Sequence, residues 1–128
     1  MKFKLIFLAL LFSMCTNVTQ EASKDIRVVS LSTTHTEIIQ SLEAEETLIA
    51  VDSFSEVDFP VKVIDAYTVT AEELAPLNPD VVILAFDFNG IVEGLQNQEI
   101  SYVLLPPAKN FEDVYSQIET IGSLVNKE

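Results

Sequence analysis

The chain's only histidine, His35, closes a run of hydroxyl residues, Ser32-Thr33-Thr34. An imidazole with a carboxylate beside it is the minimum for acid–base work. Asp52 and Asp87 also follow apolar runs and could supply that carboxylate, so a small hydrolase is one reading. Neither spacing nor context singles out such a pair. The competing reading makes His35 an ordinary first-turn helix residue that faces solvent or is hydrogen-bonded. The other signatures of chemistry are missing: there is no Gly-rich phosphate loop, no Ser-centred nucleophile elbow and no Cys/His cluster at metal spacing. The chain reads as a binding protein rather than an enzyme, with no metal and no resident cofactor.

The elements around His35 say what it is placed for. Short runs rich in Val, Ile and Leu at Arg27–Leu31, Thr47–Val51, Val81–Phe86 and Tyr102–Leu105 are apolar on both faces, as buried parallel strands are. Helix starts lie between them. Thr34-His35-Thr36-Glu37 and Thr70-Ala71-Glu72-Glu73 both fit the capping box, and Asn110-Phe111-Glu112-Asp113 puts acids in a first turn. That last helix carries Phe111, Val114, Ile118, Ile121 and Val125 at helical spacing, so it should own one apolar face. A helix over 90–98 is weakened by Gly90 and Gly94. Alternating β and α units predict a single three-layer, Rossmann-like α/β lobe with a mainly parallel four-stranded sheet and flanking helices. Val29, Leu31, Ile49, Val82, Ile83, Leu104, Ile118 and Ile121 should be buried. Ligands of such sheets meet the loops at the carboxyl ends of the strands. Here those are Ser32–His35, Asp52–Pro60, Asp65–Val69, Asp87–Asn89 and Pro106–Asn110.

The chain has 128 residues, with 20 acidic side chains against 7 basic and a formal charge of −13. One domain suits that length, and phosphate backbones would be repelled by that charge, which argues against nucleic acid. "MKFKLIFLALLFSMC" pairs two lysines with an apolar stretch too short to span a bilayer, so residues 1–15 read as an export leader. Cys15 directly behind it implies a lipoprotein signal with the lipid on that sulfur, although Phe12 and Met14 stand where Leu and Gly or Ala are usual. An ordinary cleaved leader with an incidental cysteine is the alternative. Residues 16–25 read as a polar tether and 26–128 as the lobe. Without the two leader lysines the formal charge becomes −15. Glu43, Glu45 and Glu46 read as a solvated turn.

Four stretches, "RVVSLSTTHTEIIQSL", "IAVDSFSEVDFP", "TAEELAPLNPDVVIL" and "FEDVYSQIETIGSLV", come in an order and spacing that resemble the N-terminal lobe of class III substrate-binding proteins of ABC importers. Those proteins capture cobalamin, ferric siderophores or haem outside the cytoplasmic membrane, and the likeness runs from Ile26 to Lys127. It implies half of a fold in which two α/β lobes, joined by one long helix, hold ligand between them. By position it implies ligand contacts from Thr33, Thr34 and His35 after the first strand, and from Ser53 and Phe54 after the second. Tyr67, Phe88 and Asn89 follow in later loops. Phe86 to Asn89 could equally be core filler or a helix cap. Glu72 matches the glutamate with which the family docks on permease arginines, and as a first-turn acid it also suits its helix.

Departures fall mostly in turns: Thr33 replaces a usual Pro, Glu43-Ala44-Glu45-Glu46 a Gly-rich turn, and Ala50 a Gly. The sequence ends at Lys127-Glu128, near where the linking helix would begin, so the second lobe and its docking glutamate are expected to be absent and ligand binding weak. The leading expectation is the N-terminal lobe, truncated, of a solute-binding protein for cobalamin, haem or ferric siderophore import, lipid-anchored outside the membrane and working with ABC permease subunits. The alternative is an exported single-lobe interaction module without solute uptake.

Overall fold

The computed structural model describes residues 24–128. The expected leader, the lipid site Cys15 and all but the last two residues of the tether lie outside the described residues. The elements run β1 (Val28–Ser30), α1 (Thr33–Ser41), β2 (Leu48–Asp52), β3 (Lys62–Ile64), α2 (Ala71–Leu74), β4 (Val81–Leu84), α3 (Ile91–Asn97), β5 (Tyr102–Leu104) and α4 (Phe111–Leu124). All strand pairs are parallel and the order is β3-β2-β1-β4-β5. The sheet therefore has five strands where four were expected. The added strand, β3, is three residues long and exposes Lys62 and Val63 at one edge of the sheet. A short edge strand with a lysine leaves little apolar signal in sequence, and the charge guards the edge against further pairing.

Alternation along the strands feeds two cores. Val29, Ala50, Val82 and Leu84 pack with Leu74 of α2 and Ile91 and Leu95 of α3. Val28, Leu48, Val51, Val81 and Ile83 pack with Ile39 of α1 and Ile121 of α4. Three layers result. Between β1 and β2 the register slips, with Val28 opposite Leu48 but Val29 opposite Ala50. Ile49 is the extra residue of that bulge, which explains why it is half-buried and lies on the same side as Ala50. Arg27 fastens the starts of β1 and β4 together: its backbone N–H donates to Asp80 at 2.8 Å and its guanidinium to the carbonyls of Leu77 and Asn78 at 2.7 and 3.1 Å.

The helix starts divide into two kinds. Thr70 and Glu73 form the full capping box, with the Thr70 N–H on the Glu73 carboxylate at 2.8 Å and the Glu73 N–H on the Thr70 hydroxyl at 3.3 Å. Asn110 caps α4 through the Asp113 N–H at 2.8 Å. The box expected at Thr34–Glu37 does not form. Helix α1 starts two residues earlier than that box requires, with Ser32 as N-cap and no side-chain cap. The hydroxyls there serve the strand-to-helix turn instead, Thr36 donating to Ser30 at 2.8 Å and Ser30 to the Ser32 carbonyl at 3.2 Å.

The expected core is right for Val29, Leu31, Val82, Ile83 and Ile121 and wrong for Leu104, which is exposed because β5 is the other sheet edge. Ile118 is half-buried. The apolar face of α4 is buried only in its later turns: Phe111 is 80% exposed and Val114 lies open beside it. Gly94, which looked like a weakness of α3, is where α3 meets α2. A Cβ there would stand 2.9 Å from the Ala71 Cβ. Helix propensity alone makes Gly94→Ala stabilising by about 1 kcal/mol, whereas forcing an extra methyl into a packed contact costs about 1–3 kcal/mol. We expect a net loss of stability in chemical denaturation. A gain would mean that α2 and α3 are not in this contact.

Candidate functional site

Strand order places the turning point of the sheet between β1, whose chain leads towards β2, and β4, whose chain leads towards β5. Loops leaving the two strands in opposite directions open a crevice at their carboxyl ends. An open cavity of about 500 Å³ lies there. Thr33, Thr34 and His35 after β1, Phe54 after β2, Tyr67 after β3 and Phe88 after β4 all line it, as do Leu105, Pro107 and Gln117 from the β5–α4 side. Two other residues singled out from sequence lie off its surface. Ser53 is exposed beside Phe54, and Asn89 uses its side-chain amide to hold the Tyr67 carbonyl, so it braces one aromatic loop against the next. Glu72 is exposed on the first turn of α2.

The dominant feature is a row of aromatic rings. Phe54 meets Tyr67 edge-to-face at 6.0 Å, Tyr67 meets Phe88 at 4.6 Å, and Phe88 meets Phe86 at 5.3 Å. Phe54, Tyr67 and Phe86 remain at least half exposed. Grouped open aromatics of this kind mark binding surfaces in soluble proteins. Sequence reasoning left Phe86 out of the site, since an aromatic just past a strand reads equally well as core. Its place two residues after Leu84 at the end of β4 was the available signal.

Carboxylates hold these loops in place. Asp52, buried at the end of β2, accepts the Thr33 hydroxyl and the Phe54 N–H, both at 3.1 Å, and also the Ser55 hydroxyl. Asp65 accepts the Tyr67 N–H at 2.9 Å. Asp87 accepts the Val92 N–H at 3.0 Å and so anchors the start of α3. None of these acids is hydrogen-bonded to His35, so the pairings weighed for a hydrolase are not formed. Among the described residues no group of three or more His, Cys, Asp or Glu side chains is placed to hold a metal.

His35 departs from its expected setting. It neither faces solvent nor has its ring satisfied: the side chain is 2% exposed and Nδ1 has no hydrogen-bond partner. Its burial follows from α1 packing against α4, which brings Gln117 beside the ring while the Gln117 amide donates to the Pro106 carbonyl at 2.7 Å. Burial pushes the His35 pKa down from 6.5, with the Gln117 side chain acting weakly the other way. Burial therefore keeps the His35 ring neutral near neutrality, which leaves Asp52 as the one acidic side chain on the cavity lining.

Comparisons with known proteins agree with this geometry. A family profile described as periplasmic binding protein matches residues 28–128. No curated protein sequence matches the chain. The fold is shared with a possible iron-binding (periplasmic solute-binding) protein from Staphylococcus epidermidis, at TM-score 0.69 and 24% identity over 82% of this chain and 44% of that one. It is shared with the periplasmic heme binding protein HutB of Vibrio cholerae, at 0.67 and 24% over 81% and 42%. An ABC-type Fe3+-hydroxamate transport protein from Saccharomonospora viridis follows at 0.61 and 20% over 79% and 43%. The chain thus spans less than half the length of each.

The buried imidazole gives a signed pH dependence. Its charged form is disfavoured in the fold, so its contribution to stability is complete above the unfolded pKa of 6.5 and is lost as pH falls below that value. Between pH 7 and 5 we expect falling stability with a slope of at most about 1.4 kcal/mol per pH unit for this one proton. In His35→Gln that slope should flatten. Identical slopes for the two proteins would assign the effect to other groups.

Proposed function

The chain belongs to the periplasmic binding protein family, and on that premise we propose that it binds a flat iron-bearing macrocycle, ferric haem, for delivery to an ABC importer. The observation that carries this reading is the continuous row Phe54–Tyr67–Phe88–Phe86 at the carboxyl edge of the sheet. Ring faces and edges complement a planar π system, and a tyrosine phenolate is one of the side chains that ligate haem iron. Tyr67, half exposed in the middle of the row, is the candidate for that bond. Thr34, exposed on the cavity wall, supplies a polar contact.

Charge narrows the choice among the three solute classes. No lysine or arginine lines the cavity, and Asp52 is its only charged side chain. A polyanionic, catecholate-type iron chelate would meet no countercharge there, on a chain whose formal charge outside the leader is −15. Haem, by contrast, can leave its two propionates in solvent at the open mouth. A corrin with its amide-rich rim would need more hydrogen-bond donors than Thr33, Thr34 and Gln117 offer. The Vibrio cholerae neighbour, named for heme binding, points the same way. Because the cavity is open, we expect an affinity on the order of micromolar rather than nanomolar.

The remaining parts of the reading concern location and partner. The leader at 1–15 would export the chain, and Cys15 would carry the lipid that keeps it at the outer face of the membrane. Glu72 makes no ion pair among the described residues, so its carboxylate is free to meet an arginine of the permease. Any such desolvated pair is costly to break from one side.

Titration of the chain with ferric haem, cyanocobalamin and a ferric trihydroxamate tests the solute. Haem should shift its Soret band on binding and be held most tightly of the three. Tyr67→Phe should weaken haem by about tenfold, as expected for loss of one strong ligand contact, and change the iron's charge-transfer bands. An unshifted Soret band, or tighter binding of either competitor, would overturn the assignment. Glu72→Ala should bind haem like the parent yet be captured less by the permease; equal capture would leave Glu72 a helix-start residue only.

A further inference from the structure

Two of the loops that carry the aromatic row repeat one device. In Asp52-Ser53-Phe54 and again in Asp65-Ala66-Tyr67, the aspartate carboxylate accepts the backbone N–H of the aromatic residue two places on, at 3.1 and 2.9 Å. Such an Asx turn fixes the backbone from which the ring projects. The two turns follow neighbouring strands, β2 and β3, and the rings they carry meet edge-to-face at 6.0 Å with an interplanar angle of 87°. Asp52 does more: it is 3% exposed, and the hydroxyls of Thr33 and Ser55 complete its shell, tying the Phe54 loop to the first residue of α1. No ion pair among the described residues offsets its charge. A buried carboxylate held only by neutral donors is expensive, so its retention calls for a gain elsewhere.

We propose that Asp52 and Asp65 are positioning residues: each pre-sets the ring two places on, so the Phe54–Tyr67 pair is in place before a flat ligand arrives. Phe54 is 65% exposed and Tyr67 51%, so packing alone leaves either ring free to swing. A ring that must be immobilised on binding weakens affinity, and a ring already held does not. The inference uses the haem reading only for its binding readout.

Two measurements test it. In the ligand-free chain, NMR should show a strong cross-relaxation peak between the Phe54 and Tyr67 rings, and Asp52→Asn or Asp65→Ala should weaken it. For haem, each single change should cost roughly two- to tenfold in affinity, the range expected when one side chain loses its pre-set conformation. Adding Asp52→Asn to Phe54→Ala, or Asp65→Ala to Tyr67→Ala, should cost nothing further, because the aspartate acts through the ring. Ring contacts unchanged in both variants, or fully additive losses, would overturn the proposal. Asp65 is exposed, so Asp65→Ala and Thr33→Val keep the test decisive if Asp52→Asn does not fold. A parent chain that takes up no haem would defeat the haem reading, while the ring contact would still decide this one.

Discussion

Parallel pairing of β1 with β2 on one side and β4 on the other is the constraint from which the rest follows. A parallel strand needs a crossover to its neighbour, so every loop at the carboxyl end begins a new connection across one face of the sheet. Since β1 feeds one half of the sheet and β4 the other, the loops after them part company and cannot fill the gap between. The cavity is therefore a product of connectivity. Side chains decide only what that gap is lined with.

What lines it is mostly apolar, with Asp52 the one acidic side chain among the lining residues. His35 is kept uncharged by burial, and no basic side chain reaches the surface of the cavity. The carboxylates nearby, Asp52, Asp65 and Asp87, accept backbone N–H groups and hydroxyls of their own loops. The acids of this edge thus shape loops. The chemistry offered outward is that of aromatic faces with one phenol among them.

Local signals made much of this readable in advance. Runs such as Val81–Leu84 are apolar on both faces because helices cover both, and the box at Thr70 and the cap at Asn110 are each satisfied by a residue three positions away. Distant contacts defeated the rest. The pattern Thr34–Glu37 is as good a box as Thr70–Glu73, yet buried hydroxyl contacts among Ser30, Ser32 and Thr36 start the helix earlier. No local rule buries His35, since its cover comes from α4, more than seventy residues on in the chain. Strand β3 owes its existence to β2 and carries too few apolar residues to announce itself. Among site residues, Phe54 and Tyr67 are reached by position through the family resemblance, whereas the brace between Asn89 and the Tyr67 loop exists only in three dimensions.

The central claim is that ligand meets the carboxyl edge of this sheet across the aromatic row. Mapping backbone amide shifts of the chain during titration with zinc protoporphyrin, a diamagnetic flat macrocycle, tests that claim most directly. Perturbations should gather in residues 31–35, 52–55, 65–68 and 85–89 and leave the opposite strand ends untouched. Shifts centred instead on the exposed first turn of α4 around Phe111, or on the β3 edge at Lys62–Ile64, would contradict it.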